Sequence, residues 1–442
     1  MSKKRYTGTW ESVNQHEVPK WYDDCKFGIF IHWGIYSVPA FAPHTWELGE
    51  VDSKEWFADN PYAEWYYNSL NIGKGPTYEH HIKTYGKDFK YEDFIPMWKA
   101  ENWDPAQWAD IFKEAGAQYV VLTTKHHDGF CLYPSKYTDF NCVKMGPKKD
   151  ITGELTNAVR DAGLRMGLYY SGLIDWQFAN DPIHEDDDLF GTASPTFAYA
   201  DYSYNQMMEL VDKYEPSVFW NDIGWPKQSE EAMPYFLAHY YNKVEEGVVN
   251  DRFNDRYHDF LTKEYKSGKV DRTNKWEMCR GMGLSFGYNA NEGDDKLISV
   301  PDLIALLVAT VANNGNLLLN IGPKADGTIP EEQVKRLKIL GAWLRVNGEG
   351  IYGTRCSDRE SEILESGVEL HYTQKDGNLN VFAVGLKEGE NKFVIKGYRG
   401  ELRPFEKDVE METEACEDGL KVTIKNYRNE FYTIGMTSAD NC

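Results

Sequence analysis

The chain has 442 residues, of which 41% are hydrophobic and 14% aromatic, and its formal net charge is -22. This length exceeds one ordinary domain and predicts a large domain followed by a smaller one. Because so negative a chain repels phosphate backbones and anionic lipids, nucleic acids and membrane surfaces are not expected partners.

Two features of the sequence indicate where the protein resides. No run approaches the ~18 consecutive apolar residues of a membrane span, and no apolar stretch follows the basic residues near the amino end. The seven cysteines are scattered and form no Cys-x-x-Cys pair. We therefore expect a cytoplasmic protein with free thiols.

Short apolar runs alternate with helix-like stretches along the first two-thirds of the chain. The runs predicted as strands are 27–34, 119–128, 165–172, 217–224, 247–253, 275–281 and 316–323. The stretches predicted as helices are 105–116, 153–163, 204–214, 301–314 and 330–348. Near-continuous Val, Ile, Leu and aromatic residues fit parallel strands buried on both faces. The alternation predicts an α/β fold with a (β/α)8-like, TIM-type barrel, in which 35–103 stays unassigned.

The pattern changes after about residue 350. Alternating strands separated by Asp-Gly-Asn, Glu-Gly-Glu-Asn and Glu-Asp-Gly turns are predicted over 368–386, 391–398 and 420–426. This texture is typical of a small antiparallel β-sandwich. The sequence therefore predicts a catalytic barrel domain over 1–348 and a C-terminal β-sandwich domain over 349–442.

Polar side chains follow the predicted barrel strands in succession. In chain order they are His32, His126-His127-Asp128, Tyr169-Tyr170, Asn221-Asp222, Asn250-Asp251-Arg252, Glu277 and Asn320. The carboxyl ends of the strands are where a parallel barrel gathers its chemistry. Because buried charge is costly unless it is paired, packing alone does not explain the series, which predicts a polar pocket.

Several long motifs in the barrel region identify a family. They are FGIFIHWGIYSVP, EWYYN, TTKHHDGFCLY, LYYS, VFWNDIGWP and NNGNLLLNIGPKADGTIP. Together they resemble the α-L-fucosidases of glycoside hydrolase family twenty-nine, from about residue 8 to about residue 355. The resemblance implies a retaining enzyme that releases terminal α-L-fucose from fucosylated oligosaccharides or glycoconjugates. It implies no cofactor and no metal, and it suggests a homo-oligomer.

The resemblance also implies the catalytic pair. Asp222 matches the family nucleophile, which forms a covalent fucosyl-enzyme; the alternative is an aspartate that caps the turn at Gly224. The family acid/base glutamate lies in a loop a dozen residues after an arginine that follows a strand, and Glu264 stands in that relation to Arg252.

The sequence offers an alternative to Arg252 and an alternative to Glu264. The repeat NDRFNDR makes Arg256 an alternative to Arg252 as the sugar ligand. Glu277 is the rival acid/base, and its structural alternative is a barrel carboxylate paired with Arg280.

The remaining matched positions are expected to bind the sugar. They are His32, Glu64, Trp65, His126, His127, Tyr169, Trp220, Arg252 and Phe286. Adjacent residues of a regular strand point to opposite faces, so His126 and His127 can both bind only if their strand has already ended. Phe286 is expected to meet the C6 methyl of fucose, with a place in the core as the alternative. The segment from Asn320 to Thr328 is interpreted as turn architecture.

Two other functions compete with this one. A metal-dependent hydrolase on the same barrel would use His32, His126, His127 and Asp222 as ligands, although the sequence has His-His and not the His-x-His or His-x-x-x-His spacing common in such sites. A non-catalytic carbohydrate-binding protein is the second alternative. The presence of Asp222 together with a plausible acid argues against it.

Overall fold

The computed structural model describes residues 5–179, 181–191, 196–253, 256–265 and 271–438. Its α-helices are α1 (Trp10–Val13), α2 (Lys20–Cys25), α3 (Ser53–Ala58), α4 (Tyr66–Asn71), α5 (Pro76–Tyr85), α6 (Pro105–Glu114), α7 (Ile151–Asp161), α8 (Asp186–Gly191), α9 (Phe197–Tyr214), α10 (Met233–Lys243), α11 (Val300–Ala312) and α12 (Glu331–Asn347). Short 3-10 helices cover Ile35–Ser37, Ala63–Trp65, Tyr91–Met97, Lys227–Ala232, Asp294–Lys296 and Gly348–Gly350.

Eight parallel strands form the sheet of the first domain. They are β1 (Phe27–Ile31), β2 (Tyr119–Lys125), β3 (Arg165–Ser171), β4 (Val218–Asp222), β5 (Val248–Val249), β6 (Leu261–Glu264), β7 (Trp276–Gly281) and β8 (Gly315–Ile321). Their order is β5-β4-β3-β2-β1-β8-β7-β6, which is the order of a barrel opened between β5 and β6. An isolated parallel bridge between Asn250 and Phe260 joins these two edges. The predicted TIM-like barrel is confirmed.

Side chains alternate between the two faces of this curled sheet. Val218 and Trp220 of β4 belong to an apolar cluster inside the barrel, whereas Phe219 belongs to the cluster between the sheet and the helices. Successive residues of a strand point to opposite faces, so Asp222 follows Val218 and Trp220 into the interior. The period of two in β4 therefore places the carboxylate at the inner mouth of the barrel.

Helices α6 and α11 begin within a residue of their predicted starts, whereas α9 begins at Phe197, before its predicted start at residue 204. Asp104 accepts a hydrogen bond from the Gln107 amide and caps α6, and Ser299 caps α11 in the same way. In both helices a proline occupies the first turn, where its missing N–H removes no intrahelical bond. All seven predicted barrel strands are present, although β5 is only two residues long.

The sequence prediction missed strand β6 and the helices of the 35–103 region. The four residues of β6 are all only partly buried, so they lack the continuous apolar character that marks the other strands. The region between β1 and β2 contains α3, α4, α5 and α6 with three of the 3-10 helices. These elements form one long connection that covers the carboxyl end of the barrel.

After α12 the chain forms only antiparallel strands. They are β9 (Arg355–Cys356), β10 (Glu362–Ile363), β11 (Glu369–Lys375), β12 (Asn378–Val384), β13 (Gly389–Lys396), β14 (Leu402–Pro404), β15 (Glu410–Cys416), β16 (Gly419–Tyr427) and β17 (Thr433–Ser438). One sheet has the order β10-β11-β12-β17-β14 with β9 beside β11, and the other has the order β13-β16-β15. Both sheets contribute residues to one apolar cluster, which makes a sandwich. The exact division at 348/349 stays a prediction.

A search of the described ranges finds no helix that is both long enough and apolar enough to cross a bilayer.

Candidate active site

A cavity of about 530 Å³ opens at the carboxyl ends of the barrel strands. The eleven residues expected from the sequence to act on or bind the sugar all line it. They are His32, Glu64, Trp65, His126, His127, Tyr169, Trp220, Asp222, Arg252, Glu264 and Phe286. The volume of the cavity suits a small ligand, and the many polar side chains that line it favour a ligand with hydroxyl groups.

Asp222 is the last residue of β4 and is fixed from several sides. Its Oδ2 accepts a hydrogen bond of 2.6 Å from the Tyr169 hydroxyl, and its Oδ1 accepts one of 2.6 Å from Arg252 Nη1. Oδ1 also accepts the amide of Ile223 at 2.9 Å. Because its side chain is only 9% exposed and is held by three donors, Asp222 has a defined orientation at the cavity.

Arg252 joins this carboxylate to a second one. While Nη1 contacts Asp222, Nη2 donates to Glu264 Oε2 at 2.8 Å, so a single planar guanidinium spans both acids. The cation lies 4.8 Å above the centre of the Trp220 ring. Burial opposes the charge, but Asp222 and Glu264 raise the pKa of Arg252 well above its ordinary value.

Glu264 differs from its predicted setting. The family pattern placed it in a loop, whereas it is the final residue of β6. Strand β6 pairs in parallel with β7, and this pairing fixes the direction of its last side chain. Glu264 Oε1 accepts a hydrogen bond of 2.9 Å from Tyr62, a pocket residue that the sequence analysis missed. Nothing in the local sequence marks Tyr62, because its role depends on a contact 202 residues away.

The two rivals lie elsewhere. Arg256 is largely exposed, and its guanidinium lies 3.6 Å from Glu230 and above the Trp10 ring. It does not line the cavity. The repeat that made it a rival to Arg252 therefore does not place it in the site.

Glu277 was predicted at the end of its strand, and this is wrong. It is the second residue of β7, so the strand continues for four residues beyond it, and Cys279 occupies the cavity level on the same face. Its predicted partner is also wrong, because Arg280 lies 3.7 Å from Glu47 instead. Glu277 accepts hydrogen bonds from Tyr22 at 2.8 Å, Tyr119 at 2.5 Å and Trp220 Nε1 at 2.9 Å. Glu277 is a structural carboxylate beneath the pocket, where burial raises its pKa.

The histidine pair after β2 is possible because the strand ends at Lys125. His126 stacks on Tyr169 with ring planes 11° apart, and His127 Nδ1 lies 2.7 Å from the Ser171 hydroxyl. His127 Nε2 is 3.8 Å from Asp222 Oδ2. Burial lowers the pKa values of both imidazoles well below the ordinary range, so they are neutral. Neutral rings both donate and accept, which matches sugar hydroxyls.

His32 is oriented by Asn320. Asn320 Oδ1 lies 2.7 Å from His32 Nδ1, and its amide nitrogen donates to the Phe286 carbonyl at 2.6 Å. Burial lowers the pKa of His32 to about 4. The interpretation of Asn320 as turn architecture is wrong, because it is the penultimate residue of β8 and positions two residues of the pocket.

Glu64 is a buried carboxyl on the opposite wall. Its Oε2 accepts hydrogen bonds from the Gly287 amide at 2.7 Å and from the Ser285 hydroxyl at 3.3 Å. Burial raises its pKa to about 8, so at neutral pH it is largely a carboxylic acid. Trp65, its neighbour, meets His127 edge-on with ring centres 5.0 Å apart. Together they offer an uncharged polar group beside an aromatic face.

Phe286 completes the apolar corner. Its ring lies 4.9 Å from the His32 ring centre and 5.4 Å from that of Tyr62, and it also lines the cavity. It is 95% buried, since only 5% of it is exposed. The two readings of this residue are therefore compatible, because one face packs while an edge meets the cavity.

Backbone strain accompanies both carboxylates. Ile223, directly after Asp222, has φ 65°, and Tyr265, directly after Glu264, has φ 52°. A β-branched residue such as isoleucine rarely adopts this left-handed conformation. Each strained residue directly follows the carboxylate that ends its strand, and such strain is concentrated at functional sites.

A metal centre has little support from the donor atoms. Within the described residues no three His, Cys, Asp or Glu side chains are grouped so that they could hold an ion. Among the four proposed ligands, His32 Nδ1 and His127 Nδ1 have protein partners, and Asp222 is held by Arg252 and Tyr169.

Comparisons with known proteins identify the family that the chain resembles. The family model described as Alpha-L-fucosidase matches residues 1–349. The chain is 37% identical over 397 residues to an α-L-fucosidase of Dictyostelium discoideum, covering 87% of this chain and 81% of that protein.

Solved structures of one bacterial enzyme are also similar to the chain. A Thermotoga maritima α-L-fucosynthase in complex with α-L-Fuc-(1-2)-β-L-Fuc-N3 is 50% identical with a TM-score of 0.91, covering 99% of this chain and all (100%) of that one. The α-fucosidase of the same organism in complex with fucose is 47% identical with a TM-score of 0.88, covering 98% and 100%.

The raised pKa of Glu64 gives a prediction about stability. Since the folded pKa of about 8 exceeds that of an unfolded glutamate (~4.3), this group's contribution to the free energy of unfolding is present at low pH. It is lost as the pH rises from about 4.3 to about 8. Glu64→Gln should remove this loss, so the variant should become more stable relative to the unmodified chain as the pH rises.

Chemical denaturation at pH 5, 6.5 and 8 measures this difference. Glu11→Gln, at an exposed position, is the control and should follow the unmodified chain at every pH. If the free energy of unfolding of Glu64→Gln changed with pH in parallel with that of the unmodified chain, the raised pKa of Glu64 would be contradicted.

Proposed function

The chain belongs to the α-L-fucosidase family of glycoside hydrolases, and we propose that it cleaves terminal α-L-fucosides by double displacement between Asp222 and Glu264. The observation on which the residue assignment depends is the guanidinium of Arg252, which contacts both carboxylates. No other pair of cavity-lining acids is joined in this way among the described residues. The two groups thus face one small volume, where the anomeric centre would lie.

The first half-reaction needs a nucleophile and an acid. Asp222 attacks the anomeric carbon while Glu264 donates a proton to the departing oxygen, and a covalent fucosyl-enzyme forms. Retaining enzymes hold the two carboxyl groups ~5–5.5 Å apart, closer than inverting enzymes, which leave room for water between them. A guanidinium that bridges both groups supports the shorter spacing.

The second half-reaction reverses the roles. When Asp222 becomes an ester it loses its negative charge, and Arg252 then faces Glu264 alone. This arrangement stabilises the carboxylate that must take a proton from water. Tyr169 is placed to donate to Asp222 both as carboxylate and as it is released, because its hydroxyl lies 2.6 Å from Oδ2.

Sugar recognition is assigned to the uncharged groups of the pocket. We assign the hydroxyls of fucose to His32, His126, His127 and Glu64, and the apolar C6 methyl to Phe286. The Thermotoga maritima α-fucosidase in complex with fucose, 47% identical, supports a pocket for this sugar in the same fold. Fucose is neutral, and the ion pairs of Arg252 with Asp222 and Glu264 lie at the reacting centre, where charge develops during the reaction.

Replacing the nucleophile should abolish turnover and permit rescue. We expect Asp222→Gly to lower kcat for an aryl α-L-fucoside by roughly 10³-fold or more. Azide should restore part of the rate, because it fits the space left by the carboxylate. Since azide then attacks opposite the leaving group, the product should be β-fucosyl azide, identified by NMR. An α product, or full activity without azide, would contradict this role.

Replacing the acid should give a different pattern. Glu264→Ala should slow aryl fucosides with poor leaving groups by roughly 10²–10⁴-fold and those with good leaving groups much less, because protonation matters most when the leaving group is basic. Azide should now yield α-fucosyl azide, since Asp222 still forms the intermediate.

Glu277→Gln provides the matched comparison. It removes a carboxylate from the same barrel but keeps hydrogen-bonding atoms for Tyr22, Tyr119 and Trp220. Its effect should not depend on the leaving group. If Glu277→Gln showed the leaving-group dependence and Glu264→Ala did not, the acid/base assignment would be wrong.

We also propose that the protein is cytoplasmic. The six cysteines within the described ranges are free thiols, and four of them are buried, as suits a reducing compartment. Protein isolated from its own cells, with thiols blocked at lysis, should contain seven reduced cysteines per chain by mass spectrometry, one for each in the sequence. Any disulfide would contradict this location.

Assembly into a homo-oligomer remains a proposal from the family resemblance, to be checked by light scattering.

A further inference from the structure

The outer part of the cavity has a different character from the sugar-binding part. Four partly buried aliphatic side chains line it, and they lie on three separate segments. They are Leu48, Val51, Leu189 and Ile223. Arg252 is the only lysine or arginine among the described residues that line the cavity. The described residues of the mouth thus form a largely apolar wall, and Arg252 itself is paired with Asp222 and Glu264.

This wall stands on the side of the acid. The oxygen that Glu264 protonates must lie within hydrogen-bonding reach of it, so the leaving group bonded to that oxygen also lies beside Glu264. Tyr62 donates to Glu264, and the Trp56 indole meets the Tyr62 ring at right angles with centres 4.9 Å apart. Trp56 belongs to α3 and lines the cavity. Helix α3 therefore lies on the side of the cavity where the leaving group is expected.

Contacts across the mouth tie this wall to helix α8. Lys54 Nζ lies 3.2 Å from Glu185 Oε2, and the Asp186 amide donates to the Ser53 hydroxyl at 3.4 Å. Leu189, three residues after Asp186 on α8, lines the cavity beside α3. The two segments come from different barrel connections, and both line the cleft at the mouth of the cavity.

The charge at this cleft has one sign. Glu185 precedes α8, and Asp186, Asp187 and Asp188 form its first turn. Asp186 is exposed and lines the cavity. Lys54 neutralises part of this charge, but the net potential still disfavours an anion at the mouth.

We propose that the segment from Leu48 through α3, helix α8 and Ile223 form a leaving-group subsite for neutral aglycones with an apolar face, such as an aryl group or an uncharged pyranose, and that it rejects anionic aglycones. This inference rests on the proposed function and adds the class of leaving group. Apolar contact with Leu189 and Val51 would supply binding, and the acidic first turn of α8 would supply discrimination.

The test compares substrates that differ only beyond the scissile bond. α-L-Fucosyl fluoride has no aglycone that reaches the mouth, whereas 4-nitrophenyl α-L-fucoside does. For Leu189→Ser we expect kcat/KM of the aryl fucoside to fall roughly tenfold, with that of the fluoride nearly unchanged. Val51→Ser, on the other wall, should show the same split and guards against a local folding defect in α8.

Leu306→Ser is the matched control, because Leu306 is partly buried on α11 and does not line the cavity. It should leave both substrates unchanged relative to the unmodified chain. Equal falls for the fluoride and the aryl fucoside in both wall variants would overturn the subsite. An unchanged kcat/KM for the aryl fucoside in both wall variants would also overturn the subsite.

The proposed rejection of anionic aglycones is tested with a second pair of substrates, 4-nitrophenyl α-L-fucoside and its ring-carboxylated analogue. Asp186→Asn should raise kcat/KM of the anionic substrate relative to the neutral one, and most strongly at low salt. The intrinsic reactivity of the two leaving groups cancels when this ratio is compared between variants. A ratio that is the same in Asp186→Asn and the unmodified chain would overturn the charge discrimination. Failure of the unmodified chain to hydrolyse fucosyl fluoride would instead contradict the proposed function.

Discussion

The site depends on one ion-pair arrangement, in which Arg252 contacts Asp222 and Glu264 at once. These three residues follow or end strands β5, β4 and β6. Among the described residues, the isolated bridge between Asn250 and Phe260 is the only strand pairing that joins β5 and β6. The guanidinium therefore spans the barrel where its sheet is weakest. Breaking such a buried, charge-assisted contact leaves unpaired charges, so catalytic geometry and barrel closure are linked.

Beneath this arrangement, hydrogen bonds connect the barrel interior to the pocket. Glu277 accepts from Trp220, whose ring supports Arg252 from below and lies beside Tyr169, with centres 5.5 Å apart. Tyr169 in turn donates to Asp222. A rotation of the indole would disturb both the arginine and the tyrosine. The structural carboxylate one layer down thus fixes the orientation of the groups that do chemistry, which is how a rigid scaffold preorganises a site.

The rest of the pocket keeps its polar groups neutral. Burial lowers the pKa values of His32, His126 and His127 and raises that of Glu64. Charge is therefore found at the centre where charge develops during reaction, and the surrounding groups offer hydrogen bonds without ionic competition. The mouth continues this division, because its described lining has no lysine or arginine other than Arg252 and its acidic turn lies on one side.

The sequence by itself determined the strand-and-helix alternation, the barrel and, apart from Glu277, the polar residues near the strand ends. It could do so because burial on both faces of a parallel strand leaves a run of apolar residues, and because the long motifs are continuous in the chain. Only the tertiary structure shows that Glu264 and Arg252 line the cavity with Asp222, whereas Glu277 and Arg256 do not. Those placements depend on how far along a strand each residue lies and on which neighbouring strand it faces. Strand β6, Tyr62 and the role of Asn320 were hidden for the same reason, since their meaning comes from contacts with residues far away in sequence.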